Sequence, residues 1–211
     1  MIKATKEPKP GGEMKDKILE EALEIISKQG FDLFSMRKLA AKLNISATAI
    51  YYYFSSKDDI YLEILMKSFG QLHQELKNAY QQGGDIYQRT KAVIRAYIDF
   101  GINHPNQYNL MFTLILPRPE YYQGRKEEPF AIKELENALS TIYTAENIFL
   151  EFIQEYPGIS PEEIKFHTFR IWSTLHGLVS LYISQTVHYY IEPTEETIEK
   201  ITDYLTRSLM V

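Results

Sequence analysis

Apolar residues recur every three to four positions along almost the whole chain, the spacing that gathers them on one stripe of an α-helix. Met14, Ile18, Ala22, Ile25 and Ile26 predict a first helix that stops at Gly30, a residue type that readily takes the left-handed backbone closing a helix. Ser35 precedes a short run with Met36, Leu39, Ala40 and Leu43, and Ser46 precedes another with Ile50 and Phe54. A long helix is predicted from about Lys57 to Gln82, closed by Gly83-Gly84. Asp85 opens the next, which runs to about Asn103, where His104-Pro105 breaks it. A short helix then carries Tyr108, Met111 and Phe112. Pro117 to Pro129, with three prolines, a glycine and mixed charges, reads as a loop before a long helix over Phe130–Tyr156. Ser160-Pro161-Glu162-Glu163 is a start signal: serine at the N-cap, proline at the first helical position, and Glu163 completing a capping box. That helix is predicted to reach about Tyr190, and Thr194-Glu195-Glu196 opens a last one ending near Met210. No segment sustains period-two alternation, so the fold class is all-α, with about nine helices and no sheet.

The 211 residues have room for a small domain fused to a larger one. The pattern places a polar tail at 1–12, a helix-turn-helix domain at 13–60 with its two short helices at about 35–54, and a helical domain at 61–211. With no cysteine, disulfide scaffolds, thiolate metal sites and thiol catalysis are excluded. The start of the chain has no apolar core and does not resemble a signal peptide. The most apolar stretch, Ile171–Ile183, is interrupted by Ser173, Thr174, His176 and Ser180, and falls short of the ~18–20 apolar residues of a membrane span. A soluble, cytoplasmic protein without membrane association is expected.

Net charge is −5, which on its face argues against nucleic acid. Its distribution reverses that reading. Residues 1–60 hold ten Lys/Arg against nine Asp/Glu, and residues 61–211 hold thirteen against nineteen, so the acid lies in the second part. From Leu33 to Lys57 there are four bases (Arg37, Lys38, Lys42, Lys57) and no acid. Phosphate contact requires a local positive patch, not a global excess.

Within that stretch two short helices meet at Asn44-Ile45. Asparagine tolerates the left-handed backbone of a tight turn, and Ile45 fills the space between the helices. With Ile50 and Phe54 inward, Ala47, Thr48, Tyr51 and Tyr52 lie on the free face of the second helix. Such a small-residue N-terminal end is what a recognition helix presents to the major groove. Ala and Thr methyls can touch the thymine methyl, and Thr and Tyr hydroxyls can bond base edges or phosphates. Arg37 can reach a guanine edge or a phosphate. The amides capped by Ser35 and Ser46 can meet phosphates, and Lys57 is placed for backbone contact.

The contiguous stretch Phe34 to Ile60, with Ser35, Arg37-Lys38-Leu39-Ala40, Asn44-Ile45-Ser46, Tyr51-Tyr52-Tyr53-Phe54 and Lys57, resembles the DNA-binding domain of the tetracycline-repressor (TetR) family. Asn44 stands where that family usually has glycine. The resemblance implies that Arg37, Thr48, Tyr51, Tyr53 and Lys57 contact operator DNA. It also implies a C-terminal helical domain that binds an inducer and dimerises. Trp172-Ser173-Thr174-Leu175-His176-Gly177 and His104-Pro105-x-x-Tyr108-x-x-Met111-Phe112 resemble the signature of one C-terminal subclass, whose hallmark is Trp-x-x-x-His-Gly.

Aromatic and methionine side chains are dense in the second part, as in pockets for small apolar ligands. Phe100, His104, Tyr108, Met111, Phe112, Phe149, Trp172 and His176 are the candidate ligand-binding residues; for any one of them ordinary core packing is the competing reading. One short recognition helix reads only a half-site, so a homodimer on near-palindromic double-stranded operator DNA is expected. Leu175, Leu178, Val179, Tyr182, Ile198, Ile201, Leu205 and Leu209 are its candidate interface. The histidines form no metal-ligand spacing, so no metal is expected. Neither a cofactor loop nor a catalytic signature is present in the sequence. The expected function is a DNA-binding regulator, and specifically a repressor released by a small apolar or aromatic effector. A helical protein–protein adaptor that keeps the helix-turn-helix as scaffold is the alternative.

Overall fold

The computed structural model describes residues 10–114, 117–155 and 160–209. Among them are nine α-helices and no strand: α1 Pro10–Gln29, α2 Met36–Leu43, α3 Ala47–Tyr51, α4 Lys57–Tyr80, α5 Ile86–Asn103, α6 Pro105–Tyr108, α7 Glu128–Glu155, α8 Ile164–Ile183 and α9 Glu195–Arg207. A π-helical turn, Asn109–Thr113, continues α6. The all-α class and the helix order follow the periodicity of the sequence.

The chain divides into two compact units, Met1–Lys67 with Asn109–Leu135, and Ser68–Tyr108 with Glu136–Val211. A division at residue 60 was expected; instead the stretch 109–135 belongs with the helix-turn-helix. In this first unit α1 packs on α2 and on the π-helical turn, and α2 packs on α3. Ile18, Ala22, Ile26, Leu39, Ile50, Phe54 and Ile60 fill its core. Each large apolar side chain so buried contributes ~1.5–3 kcal/mol against exposure.

In the second unit α5 packs against α6, α8 and α9. Asp85 caps α5 with a full capping box: its carboxylate accepts the Gln88 N–H, and the Gln88 side chain accepts the Asp85 N–H. Close approach of α8 to α5 relies on Gly101, where a built Cβ would fall 2.3 Å from Val179 Cγ1. Ion pairs staple α9 to α5, with Arg95 on Glu195 at 2.7 Å and Lys91 on Glu199 at 2.7 Å.

Three local expectations change. The Pro117–Pro129 loop contains a 3-10 turn, Pro119–Tyr122, and α7 begins inside it at Glu128. The Ser160 capping box is half made. Glu163 accepts the Ser160 N–H at 3.3 Å, but the Ser160 hydroxyl donates to the same carboxylate at 2.9 Å rather than capping an amide. One 3-10 turn, Pro161–Glu163, therefore precedes α8. Finally, α8 stops at Ile183 rather than near Tyr190, because Gln185 takes φ 59° and the Thr186 N–H turns back to the Leu181 carbonyl at 3.0 Å. No glycine or proline marks this stop in the sequence.

Candidate nucleic-acid interface

The geometry of the two short helices is set by their caps. The Ser35 hydroxyl accepts the Lys38 N–H at 3.3 Å, and the Ser46 hydroxyl accepts the Ala49 N–H at 3.1 Å. Between them Asn44 is left-handed, with φ 56° and ψ 41°. The Asn44 and Ile45 N–H groups bond back to the Ala41 and Ala40 carbonyls at 3.2 and 3.0 Å, the paired pattern that satisfies a helix C-terminus. Asparagine thus does what glycine does at such a turn.

Ile50 and Phe54 are buried and pin α3 to the unit, while Leu43 and Ile45 are half-buried. The opposite face is open. Thr48 is exposed, Ala47 half-exposed, and Tyr51 and Tyr52 are 54% and 84% exposed. Tyr53 turns half inward, its ring edge-on to that of Tyr52 at 5.1 Å. Arg37 is exposed at the start of α2.

The positive patch is smaller than the sequence implies. Lys42 pairs with Glu21 at 2.9 Å and with Glu24, both on α1. Hydrogen bonds from Lys28 and Lys42 hold the Glu24 carboxyl down to about 2. Lys57, expected at a phosphate, is half-buried: its ammonium donates to the Phe31 carbonyl at 3.3 Å and lies 4.2 Å above the Phe31 ring. Arg37 and Lys38 remain as the outward bases of the stretch.

The candidate ligand residues separate into two groups. Tyr108, Trp172 and His176 come together with Tyr97 in one hydrogen-bonded chain. The Trp172 Nε1–H donates to the Tyr97 hydroxyl at 3.1 Å, which lies 3.1 Å from the Tyr108 hydroxyl, itself 2.7 Å from His176 Nδ1. Burial pushes the His176 imidazole below its ordinary value, which favours its neutral form, and pushes the Tyr97 phenol up to about 12. Tyr97 is the one member of this chain outside the sequence-based candidates. The available signal was its place on the buried stripe of α5 with Val93, Ile94 and Gly101, where a hydroxyl must find a partner.

The other candidates stand apart. His104 caps the C-terminal end of α5 and lies 3.0 Å from the Gln71 amide nitrogen and 3.9 Å from Glu75. Phe100 is buried with its ring 5.2 Å from that of His104. Met111 and Phe112 fall in the π-helical turn, in the first unit. The side chain of Phe149 lies outside the described residues.

The candidate interface residues also need correction. Leu175, Val179, Ile198 and Leu209 are buried inside their own unit, and Leu178, Tyr182, Ile201 and Leu205 are half-buried. The most apolar positions of α8 and α9 serve the protomer core first. What α8 leaves outside is Phe166, Phe169, Trp172 and Leu181, and what α9 leaves is Tyr204.

Among the described residues no group of three or more His, Cys, Asp or Glu could hold a metal ion, and no helix is long and apolar enough to cross a membrane.

A capped helix pair with one side pinned and the other open defines a helix-turn-helix regulatory fold. Residues 18–64 match the family described as bacterial regulatory proteins of the tetR family, and residues 90–205 match the tetracyclin repressor-like C-terminal domain. The chain belongs to the TetR family. It is 31% identical over 104 residues to the HTH-type transcriptional activator FasR of Mycolicibacterium smegmatis, covering 49% of this chain and 47% of that one. It is 27% identical over 111 residues to the icaADBC negative regulator IcaR of Staphylococcus aureus, covering 53% and 58%. These matches span about half the length of the curated relatives. The fold is shared with the fatty acid degradation regulator FadR from Bacillus halodurans (TM-score 0.71, 14% identity, 97% of each chain). It is also shared with FadR from Bacillus subtilis in complex with stearoyl-CoA (TM-score 0.69, 15% identity, 94% and 97%).

Proposed function

We propose that this protein is a sequence-specific DNA-binding transcriptional repressor that acts as a homodimer and is released by a small apolar or aromatic effector. The observation that carries the reading is the open face of α3. Ala47, Thr48, Tyr51 and Tyr52 face outward while Ile50 and Phe54 fix the helix from behind, and Arg37 and the capped N-termini of α2 and α3 supply groups for phosphates and base edges. Tyr53, Ser35 and Ser46 complete the contact set.

A dimer supplies the second recognition helix. The exposed part of α8 supports it: Phe166, Phe169 and Leu181 are exposed on this helix, and at Gly177 an added Cβ would meet nothing within 4 Å. In this reading the effector binds at the Tyr97–Tyr108–His176–Trp172 chain. Burial favours the uncharged form of its groups, which suits an apolar or aromatic body with one polar end. Stearoyl-CoA, present in the Bacillus subtilis structure, shares with that class only its apolar acyl tail, its CoA head being anionic.

The test is enrichment of a bound duplex from a random-sequence library, followed by affinity measurements at fixed salt. Arg37→Ala and Tyr51→Ala should each weaken the selected duplex by about 1–3 kcal/mol. Equal affinity of both variants and the wild type would remove these contacts. Selection of no sequence at all would leave the adaptor reading in its place.

A further inference from the structure

The first turn of α4 is gripped from two sides. On the helix-turn-helix side, Lys57 lies over Phe31, and the Phe31 ring meets the Tyr61 ring at 5.0 Å. On the other side stands the stretch that returns to the first unit after Asn109. The Tyr122 hydroxyl donates to Asp58 Oδ1 at 2.9 Å, the Tyr61 hydroxyl donates to the Pro117 carbonyl at 3.3 Å, and the Ser56 hydroxyl donates to Glu127 Oε1 at 3.4 Å.

Ser56 is also the N-cap of α4. Its oxygen accepts the Asp59 N–H at 3.1 Å, and Asp59 Oδ2 accepts the Ser55 and Ser56 N–H groups at 2.9 and 3.0 Å. The cap that turns the chain out of α3 into α4 therefore shares its hydroxyl with the returning stretch. Tyr122 and Glu127 are buried, whereas Arg118, Glu120 and 123–126 between and before them are exposed. Buried Tyr122 and Ala131, together with these three hydrogen bonds, hold the stretch in place. Only two residues, Ser55 and Ser56, separate buried Phe54 from the start of α4. A tilt of α4's first turn is therefore passed directly to the recognition helix.

We propose that Tyr122 and Glu127, through Asp58 and Ser56, are positioning residues for DNA recognition: they fix the direction in which α3 is presented, without touching DNA. This rests on the reading of α3 as the recognition helix and adds a stretch some seventy residues away to the DNA-reading unit.

The experiment compares Tyr122→Phe, Asp58→Ala and Asp58→Asn with the wild type. The probes are the duplex the wild type selects from a random library and a scrambled duplex of equal length. Losing a buried hydrogen bond to a carboxylate should weaken the selected duplex by about five- to twentyfold in Tyr122→Phe and Asp58→Ala. Affinity for the scrambled duplex and the salt slope should not change, because no phosphate contact is lost. Asp58→Asn keeps an acceptor oxygen for Tyr122 and should recover most of the loss. Amide exchange over residues 47–58 should quicken in Tyr122→Phe in the absence of DNA. Affinity within about twofold of wild type on the selected duplex, or equal losses on both duplexes, overturns the proposal. If the wild type selects no sequence, the reading of α3 fails instead, and the exchange measurement decides alone: unchanged exchange over 47–58 refutes the grip on α4.

Discussion

Gly101 offers a sharp stability test, because two opposing effects act on one methyl group. In a helix interior Gly→Ala ordinarily stabilises by ~0.5–1 kcal/mol. At Gly101 the added Cβ would lie 2.3 and 3.0 Å from the two Val179 methyls and 3.2 Å from Tyr108 Cδ2. Carbon atoms rest at ~3.5–4.0 Å, so the first contact is more than ~1 Å too close. Val179 is fully buried and β-branched, with essentially one helical rotamer, so it cannot swing aside. Helix α8 must move, and overpacking of this kind costs ~1–3 kcal/mol. Taking the upper end and subtracting the propensity gain leaves Gly101→Ala destabilised by ~2 kcal/mol. Val179→Ala alone loses two buried methyls, ~1.5 kcal/mol plus a cavity cost. In the double variant the new methyl occupies that space, so it should be more stable than the sum of the singles predicts. Urea unfolding at one fixed protein concentration measures all three. A stabilised Gly101→Ala, or simple additivity, would refute the close α5–α8 packing on which this rests.

Two further outcomes follow from single positions. Glu134 is buried on α7, and burial pushes its carboxyl up to about 7 despite opposing attraction from Arg118. Its folded value exceeds the unfolded one, so its contribution to stability is full below about pH 4.5 and is lost as pH rises through 7. Between pH 5 and 8 the wild type should lose on the order of 1–3 kcal/mol relative to Glu134→Gln in urea unfolding; parallel pH profiles would show that the carboxyl is solvated. At Gly177 an added Cβ meets nothing within 4 Å in the protomer. Gly177→Phe should leave helix content unchanged yet raise the dimer dissociation constant in sedimentation, and an unaltered constant would move the interface off this face of α8.

What the sequence determined by itself is the local geometry of the reading motif. Ser35, Asn44 and Ser46 satisfy backbone groups within three to four residues of themselves, so the caps and the left-handed turn need nothing distant. Helical periodicity gave the order of the helices for the same reason. Tertiary structure decided what depends on partners far along the chain. Lys57 and Lys42 looked equivalent to Arg37 as free bases, until Phe31 and the carboxylates of α1 took them. Leu175 and Val179 are as apolar as an interface requires, but periodicity cannot say whether such a stripe meets its own core or a second copy, and α5 claims them first. Tyr97 could be assigned to the polar chain only once α8 brought Trp172 within 3.1 Å of its hydroxyl. The stretch from Pro117 to Pro129 carries every local mark of a loop. Its place in the first unit goes with the bonds of Tyr122 and Glu127 to residues 64 and 71 positions earlier in the chain, a separation that no local pattern encodes.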